Sequence, residues 1–363
     1  MGPITLLVAA GGTGGHLYPA VAVAERFRDT VPESRVVFVG TERGLESRIV
    51  PAAGFPLELI RAAPLRGGSI PRKLSGLFGL ATGWLDARRL LRRIEPRVVM
   101  GLGAYVSGTM LLTAALRGIP TLVLEPNAVP GLANRWLAPF VDEAACAFAD
   151  TTRFFGKKGV VTGNPVRESI LGVPPLSPQI SSTMRVLVFG GSQGSVFLNR
   201  TMTEAAPRLA AGIAVTHQTG TMDFDAVREA YAGSNVRATV SPYIEDMAQA
   251  YAEADLVLAR AGATTCAELA AAGRGSLLVP LPLAGGHQQD NAEMMAKAGA
   301  ARTVRQAELT ADRLASELAG LLSSPEERER MAARARSLAR PDAARNVTER
   351  LVRLVRSREG VPE

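Results

Sequence analysis

The sequence predicts an α/β protein with two doubly wound parallel sheets, one in each half of the chain. Short apolar runs alternate with amphipathic stretches, a pattern typical of βαβ units. An apolar run that ends in glycines before a helix occurs twice. The glycine-rich stretch at 11–15 has a counterpart 179 residues later, at 190–194. The 363 residues are also too many for one small core.

The predicted strands share a short apolar run bounded by glycine, proline or polar residues. In the first half they are "ITLLVAA" (4–10), "RVVFVG" (35–40), "RVVMGLG" (97–103) and "TLVLE" (121–125). In the second half they are "RVLVFGG" (185–191), "IAVTHQTG" (213–220), "ADLVLARAG" (254–262) and "GSLLVPLP" (275–282).

The repeat divides the chain into a domain at 1–163 and a domain at 164–341. The proline- and serine-rich segment at 172–183 has few anchors for a core and is interpreted as a linker. A final amphipathic helix at 342–363 places Val347, Leu351, Leu354 and Val355 on one side. Its sequence does not reveal which domain it joins.

The composition predicts a folded protein that stays in the cytoplasm. Cys146 and Cys266 lie far apart among apolar residues, which indicates buried thiols in a reducing compartment. The N-terminus lacks the features of a secretory signal. The uncharged stretch at 98–116 approaches the length of a membrane span, but its glycines favour a strand at 98–102, a turn and a helix.

The net charge of +7 comes from one window of the sequence. Between Arg61 and Arg97 there are nine basic and two acidic residues, with Phe78 and Trp84 among the arginines. Such a composition is typical of a segment lying on anionic lipid, and an ordinary helix that packs its apolar side on the core is the alternative. Nucleic-acid binding ranks last because few aromatic residues are interleaved.

The two glycine loops are candidate phosphate sites. A helix N-terminus after a glycine turn favours an anion, and Thr13 or Ser192 can add a hydroxyl. The first loop has leucine at position 17, where the dinucleotide fingerprint requires glycine, and neither loop continues into the Walker A lysine. The ligand is therefore expected to be neither NAD nor ATP.

Histidines and carboxylates near strand ends are the candidate catalytic groups. His16 follows the first glycine loop, and a histidine is suited to general base catalysis near neutral pH. Glu125 and Asn127 follow one strand, where α/β proteins bind ligands. Arg260 and Glu268 surround another, and Arg260 is expected either to meet a phosphate or to fix the loop.

Three further polar features have simpler interpretations. The run "GGHQQDNA", which contains His287, offers the donors and acceptors that sugar hydroxyls require, or forms a solvated loop. Asp223 and Asp225 resemble a metal-binding pair, but a capping carboxylate at the next helix is favoured. His217 ends an apolar strand and is interpreted as structural.

Seven stretches together resemble the MurG family, the bacterial transferases that add N-acetylglucosamine to a lipid-linked cell-wall precursor. They are, in chain order, "GGTGGHLYPA", "GLGAYVSG", "EPNAVPGLANR", "GNPVR", "GGSQG", "RAGATTCAE" and "HQQDNA". The resemblance implies the GT-B fold, with two Rossmann-like domains facing each other across a cleft. The donor nucleotide would lie mainly on the C-terminal domain and the acceptor on the N-terminal one, to which the C-terminal helix would return.

The resemblance also implies a reaction. N-acetylglucosamine would pass from UDP-N-acetylglucosamine (UDP-GlcNAc) to the 4-hydroxyl of the N-acetylmuramoyl group of lipid I, with inversion, forming lipid II for peptidoglycan. No cofactor and no metal are expected. The enzyme would act as a peripheral protein on the inner face of the plasma membrane, bound to anionic lipid through 64–97.

The family motifs assign roles to individual residues. His16 is the candidate base and Glu125 its rival, since Leu124 stands where the family often has histidine; Pro126 replaces a common glutamine. The acceptor side would be lined by Thr13, Tyr105 and Glu125. Donor roles fall to Glu268 at the ribose, Ile244 at the uracil, Arg167 and Ser192 at the phosphates, and Asn127, Gln288 and Gln289 at the sugar. Further expected substrate-binding residues are Gly14, Gly15, Arg260, Ala263 and Thr264.

Two other functions remain open at this point. A UDP-N-acetylglucosamine 2-epimerase would have the same fold and would consume the donor without an acceptor. A nucleotide-sugar sensor would bind the donor and release nothing.

Overall fold

The computed structural model describes residues 3–12, 14–42, 44–61, 70–176, 183–282 and 286–360. For residues 70–81 and 104 it describes the backbone alone. The chain forms two compact units, the first comprising Met1–Pro165 with Asp342–Glu363 and the second Val166–Pro341.

Within the described ranges, the strands of the first unit form a seven-stranded sheet in the order β3-β2-β1-β4-β5-β6-β7, with every neighbouring pair parallel. The strands are β1 (Thr5–Ala9), β2 (Arg35–Gly40), β3 (Leu57–Leu59), β4 (Val98–Gly101), β5 (Thr121–Glu125), β6 (Glu143–Cys146) and β7 (Gly159–Val161). The helices are α1 (Gly14–Thr30), α2 (Glu46–Ala52), α3 (Ile70–Ile94), α4 (Ala104–Leu116) and α5 (Leu132–Leu137).

The second unit repeats this architecture with six parallel strands in the order β10-β9-β8-β11-β12-β13. They are β8 (Met184–Phe189), β9 (Ile213–Gln218), β10 (Arg237–Ser241), β11 (Leu256–Ala259), β12 (Ser276–Leu278) and β13 (Ala301–Thr303). The helices are α6 (Glu168–Leu171), α7 (Val196–Ala205), α8 (Phe224–Ala232), α9 (Met247–Glu253), α10 (Ala263–Ala272), α11 (His287–Lys297), α12 (Ala311–Leu322) and α13 (Pro325–Ser337).

Both sheets are covered on two faces, which explains the continuous apolar runs of their strands. In β1, Leu6 and Val8 pack on one face while Leu7 and Ala9 pack on the other. The predicted α/β class with two doubly wound sheets is confirmed. The stretch at 98–116 forms the expected strand, glycine turn and helix.

Five of the described strands were not predicted from the sequence: β3, β6, β7, β10 and β13. Each has between three and five residues, and all except β6 lie at the edge of a sheet. A strand of three to five residues has too few positions to show a recognisable apolar pattern in the sequence. It is identified only by its hydrogen bonds to the neighbouring strand.

The predicted linker at 172–183 differs from the structure. The chain passes from one unit to the other at Pro165 and Val166. Val173 is buried in the core of the second unit, and the carbonyl oxygens of Val173 and Pro174 accept hydrogen bonds from Arg336 and Arg274. Residues 177–182 of the predicted linker lie outside the described residues.

The final helix, α14 (Ala343–Arg358), belongs to the first unit and packs against α1. Val347, Leu351 and Val355 are buried in the core that β1 and α1 share, with Leu354 at its margin. The Asn346 amide also donates to the carbonyl oxygen of Thr162.

We predict that Leu351→Ala lowers the free energy of unfolding by about 2–5 kcal/mol, because it empties a fully buried site between α14 and α1. Chemical denaturation followed by circular dichroism measures the change. Arg356→Ala, on the exposed side of the same helix, serves as the control and should change it by less than about 0.5 kcal/mol. Equal effects of the two variants would contradict the packing role of α14.

Candidate active site

The first glycine loop joins β1 to α1 and is held by a buried carboxylate. Glu46 is fully buried and accepts hydrogen bonds from the Gly12 N–H at 3.2 Å and from the Thr41 N–H at 2.8 Å. Gly12 has a φ of 93°, which favours glycine. Gly14 and Gly15 open α1, and Thr13 lies outside the described residues.

His16, the third residue of α1, lies beside the loop that follows β4. Its ring is half-buried, and a Cβ built on Gly103 would lie 3.5 Å from His16 Nε2. Burial lowers the pKa of His16 below its ordinary value of 6.5, and a hydrogen bond with the Gly11 backbone opposes this only in part. The imidazole is therefore neutral at neutral pH and able to accept a proton.

Glu125 ends β5 and is 1% exposed. Its Oε1 accepts from the N–H and the side-chain amide of Asn127, both at 2.9 Å. Its Oε2 accepts from the Gly131 N–H at 3.0 Å and from the Asn134 amide at 2.9 Å. Burial raises the pKa of Glu125, and these four hydrogen bonds act against that rise. The carboxylate thus fixes the loop at 125–134 and has its acceptor positions occupied by protein.

Three neighbouring strand ends bring the predicted residues of the first unit together. The order β1-β4-β5 places the loop before His16, the turn before Tyr105 and the loop of Glu125 and Asn127 at one edge of the sheet. Tyr105, the second residue of α4, is 47% exposed. Polar side chains at adjacent carboxyl ends of parallel strands are the usual composition of an α/β ligand site.

The second glycine loop packs backbone to backbone against the loop after β9. A Cβ on Gly194 would lie 1.9 Å from the Thr219 carbonyl oxygen, and one on Gly220 would lie 2.3 Å from that of Gln193. The Gln218 side chain donates to the Gly191 carbonyl oxygen at 2.8 Å and accepts from the Ile244 N–H at 2.9 Å. Gln218 therefore connects the loop of Ser192 with the predicted uracil contact.

Arg260 uses all five of its N–H donors within the second unit. Ser195 Oγ accepts two of them, at 2.9 and 3.1 Å, and Gln306 Oε1 accepts another at 2.7 Å. The carbonyl oxygens of Val279 and Pro280 accept the rest. Burial lowers the pKa of Arg260 to about 10, so it stays charged. These contacts connect the N-cap of α7 with the segment after β12 and with Gln306.

Glu268 and Arg167 form a partly buried ion pair. Arg167, at the N-cap position of α6, donates to Glu268 Oε1 at 2.8 Å, and the Tyr251 hydroxyl donates to Glu268 Oε2 at 3.2 Å. Burial, with the nearby Glu268 charge, raises the pKa of Tyr251 well above 10 and keeps its proton in place. Ala263 and Thr264 open α10, the helix that carries Glu268.

Gln288 and Gln289 lie in the first turn of α11. Gln288 Oε1 accepts from the Leu281 N–H at 3.0 Å, while Gln289 donates to Glu293 on the same helix. The intervening residues 283–285 lie outside the described ranges. Gln288 therefore holds the backbone at Leu281, whereas Gln289 pairs with a neighbour on its own helix.

His217 and Asp223 belong to a buried network. His217 contacts the Tyr231 hydroxyl at 2.9 Å and Asn199 Oδ1 at 3.1 Å, and burial lowers its pKa to about 3. Asp223 stands at the N-cap position of α8, where its side chain accepts from the Asn199 amide and makes no hydrogen bond to the helix, and Asp225 lies in the first turn. Among the described residues no group of three or more His, Cys, Asp or Glu side chains is placed to hold a metal.

Three polar residues of the two sites escaped the sequence analysis: Glu46, Asn134 and Gln218. All are buried and anchor loops after strand ends. Gln218 carried a signal, because it lies within the predicted strand at 213–220. Asn134 also carried one, because it lies in the quoted stretch "EPNAVPGLANR", whereas Glu46 carried none, since it lies in a helix and contacts its loop only in the folded unit.

We predict that Gly194→Ala destabilises the protein more than Gly191→Ala does. Both glycines have a positive φ, so each substitution costs about 1–2 kcal/mol of backbone strain. Only the alanine at 194 also meets a carbonyl oxygen, and this should add about 1–3 kcal/mol. Thermal unfolding of the two variants measures the difference, and equal losses would contradict the close packing of the loops.

Comparison with known proteins identifies the family of the chain. Residues 6–146 match the glycosyltransferase family 28 N-terminal domain, and residues 185–347 match the C-terminal domain of that family. A relative from Anaeromyxobacter sp. strain Fw109-5 is 45% identical, covering 98% of this chain and 95% of its own. It is called a UDP-N-acetylglucosamine–N-acetylmuramyl-(pentapeptide) pyrophosphoryl-undecaprenol N-acetylglucosamine transferase.

Solved structures agree with this result. MurG from Acinetobacter baumannii has a TM-score of 0.77 and 33% identity, covering 97% of this chain and 100% of its own. A UDP-N-acetylglucosamine 2-epimerase has a TM-score of 0.71 at 14% identity, covering 100% of this chain and 99% of its own, which shows a shared fold alone. The chain has the GT-B fold and belongs to the MurG family of glycosyltransferases.

Proposed function

We propose that this enzyme transfers N-acetylglucosamine from UDP-GlcNAc to the 4-hydroxyl of the N-acetylmuramoyl group of lipid I, forming lipid II. The names and full-length similarity of its relatives support this reaction. The observation that carries the mechanism is the neutral, half-buried His16 beside the strand-end loops of the first unit. In this proposal the first unit binds the acceptor and the second binds the donor.

The proposed reaction is one inverting displacement. The acceptor hydroxyl oxygen forms a bond to C1 of the donor sugar while the bond from C1 to the UDP oxygen breaks, and UDP leaves with the electron pair. His16 accepts the hydroxyl proton as the new bond forms. Glu125 is the weaker candidate for this base because its acceptor positions already hold four protein hydrogen bonds. We assign it to holding the loop that carries Asn127.

The donor roles follow the contacts of the second unit. Arg167 and Ser192 would stabilise the charge that develops on UDP. Glu268 would bind the ribose, with Ile244 at the uracil, and Gln288 and Gln289 would meet the sugar. The Arg167–Glu268 pair keeps both side chains oriented before the nucleotide arrives.

The experiment that tests this function measures UDP release from UDP-GlcNAc with and without a short-chain lipid I analogue. Release that requires the analogue and yields a disaccharide supports the transferase. Conversion of the donor without an acceptor would indicate an epimerase, which shares this fold. Tight binding of the donor with no turnover would indicate a sensor.

We predict that His16→Gln lowers turnover by on the order of 10²- to 10⁴-fold, the usual contribution of a general base. Only the neutral imidazole accepts a proton, and the pKa of His16 is lowered. Activity of the unmodified enzyme should therefore persist below pH 6.5 and fall as the pH drops through the lowered value. A pH–rate profile measures this acid limb, which should disappear in the variant. Unchanged turnover would remove His16 from the role.

We also propose a peripheral position on the inner face of the plasma membrane, with contact through 64–97. None of the helices in the described part of the chain is long and apolar enough to span a bilayer. In the described part of this segment, Trp84 and Leu85 are exposed, at 39% and 44%. The other side of α3 packs on the core, as the alternative of an ordinary helix expects. The buried residues on that side are Ala87, Leu90, Leu91 and Ile94.

Part of the basic charge in this segment is already paired within the protein. Arg93 pairs with Glu58 and Arg97 with Glu359, while Asp86 of the segment pairs with Arg61 outside it. Arg88 lies over the ring of Trp84. The attraction to anionic lipid should accordingly be moderate and sensitive to salt.

We predict that Trp84 enters an apolar environment on vesicles containing anionic lipid. The chain has two tryptophans, so Trp136→Phe leaves Trp84 as the only one. Its fluorescence should shift to shorter wavelength with anionic vesicles, and the shift should weaken at high salt. The matched control is Trp84→Phe, in which the remaining Trp136 reports from α5. An equal response to neutral vesicles, or a response of Trp136 alone, would contradict contact through 64–97.

A further inference from the structure

Glu46 is a buried carboxylate to which the proposed mechanism gives no role. It opens α2 and is fully buried. Its Oε1 accepts from the N–H and the hydroxyl of Thr41, at 2.8 and 2.9 Å, and its Oε2 accepts from the Gly12 N–H at 3.2 Å. Burying such a group is costly unless its hydrogen bonds are formed. The carboxylate therefore joins the loop after β2 to the glycine loop after β1.

Three glycines from neighbouring segments leave room for this carboxylate. A Cβ built on Gly11 would lie 3.1 Å from Glu46 Oε1, which is a tight contact. A Cβ built on Gly40 or Gly44 would overlap the Glu46 side chain outright. A larger residue at any of the three positions would crowd or displace the carboxylate. The two loops are thus shaped around Glu46, and a change at this side chain would reach Gly11 and Gly12 directly.

The peptide group between Gly11 and Gly12 connects Glu46 with His16. The N–H of this peptide donates to Glu46 Oε2. The pKa of His16 is lowered by burial and raised in part by a hydrogen bond with the Gly11 backbone. Such a rise requires an acceptor, so the bond runs from the His16 ring to the Gly11 carbonyl oxygen. No peptide bond of the described residues is cis, so this N–H and this carbonyl point in opposite directions.

The bond to Gly11 fixes the tautomer of His16. A carbonyl oxygen accepts only from a ring nitrogen that carries a proton. In the neutral imidazole the second ring nitrogen then lacks a proton and is able to accept one. Hydrogen bonds in a chain polarise one another, so the bond from the Gly12 N–H to a carboxylate makes the carbonyl of the same peptide a stronger acceptor. Glu46 thus acts on His16 through the peptide that both contact.

We propose that Glu46 is a positioning residue that acts through the Gly11–Gly12 peptide and holds His16 in the tautomer able to accept the proton of the attacking hydroxyl. The inference rests on the proposed function, in which His16 is the base, and adds the group that orients this base. In serine proteases an aspartate orients the catalytic histidine by direct contact. Here one peptide group lies between the carboxylate and the imidazole.

The test compares Glu46→Gln with Thr41→Val. Glutamine keeps the shape of the side chain, but when its Oε1 accepts from the two Thr41 donors its amide nitrogen faces the Gly12 N–H, where no hydrogen bond can form. The value of kcat should fall by roughly 5- to 100-fold while the KM for UDP-GlcNAc stays within about twofold. Thr41→Val removes a hydrogen bond to the other oxygen of the same carboxylate. It should lower the melting temperature and leave kcat within about twofold.

The ring nitrogens of His16 provide a readout that a loss of stability alone does not change. Nitrogen-15 NMR distinguishes a protonated from an unprotonated imidazole nitrogen, and His16→Gln identifies the His16 signals among the three histidines. The unmodified enzyme and Thr41→Val should show one tautomer at neutral pH, whereas Glu46→Gln should show a mixture of two. A mixture in the unmodified enzyme would overturn the proposal even if Glu46→Gln failed to fold.

A double-mutant cycle separates an effect through His16 from a general loss of structure. Glu46→Gln should lower turnover no further in an enzyme that already carries His16→Gln. Equal losses in the two backgrounds, or a single tautomer in folded Glu46→Gln, would overturn the proposal. Absence of transfer by the unmodified enzyme would instead overturn the proposed function, and the NMR measurement would still test the connection between Glu46 and His16.

Discussion

The buried carboxylate of Glu125 is the constraint on which the acceptor-side site depends. A charge this far from water is tolerated only when hydrogen bonds replace its hydration, and four donors from Asn127, Gly131 and Asn134 do so. Because these donors come from one loop and the following helix, satisfying the charge fixes the path of the chain from β5 into α5. Removing the charge would release that loop.

In the second unit a buried charged group also fixes a loop, but the charge is positive. There the buried guanidinium of Arg260 distributes its five donors over Ser195, Gln306 and two carbonyl oxygens, and so ties the glycine loop to neighbouring strand ends. The two halves share the strand order and the positive φ at Gly12 and Gly191. Their loops are nevertheless anchored by different residues: Glu46 holds the first and Arg260 the second.

This difference accords with different ligands. A loop anchored by carboxylates, beside a neutral histidine, suits an uncharged sugar hydroxyl that must lose a proton. The second loop and the serine that follows it are held by the Gln218 amide and the Arg260 guanidinium, which suits the nucleotide diphosphate proposed for this unit. The duplicated architecture thus provides two glycine loops after matching strands, and residues of opposite charge, Glu46 and Arg260, anchor them.

The sequence by itself determined the fold class, the duplication and the residues at strand ends, because long apolar runs and glycine turns are local patterns. It also indicated His16 and Glu125 as rival bases. Only the tertiary structure shows which groups accept hydrogen bonds from Arg260, since one of them lies 65 positions away in the sequence. For the same reason the anchoring contacts of Glu46 left no trace in the sequence. Buried polar contacts are formed by distant segments, whereas periodicity reports only on neighbours.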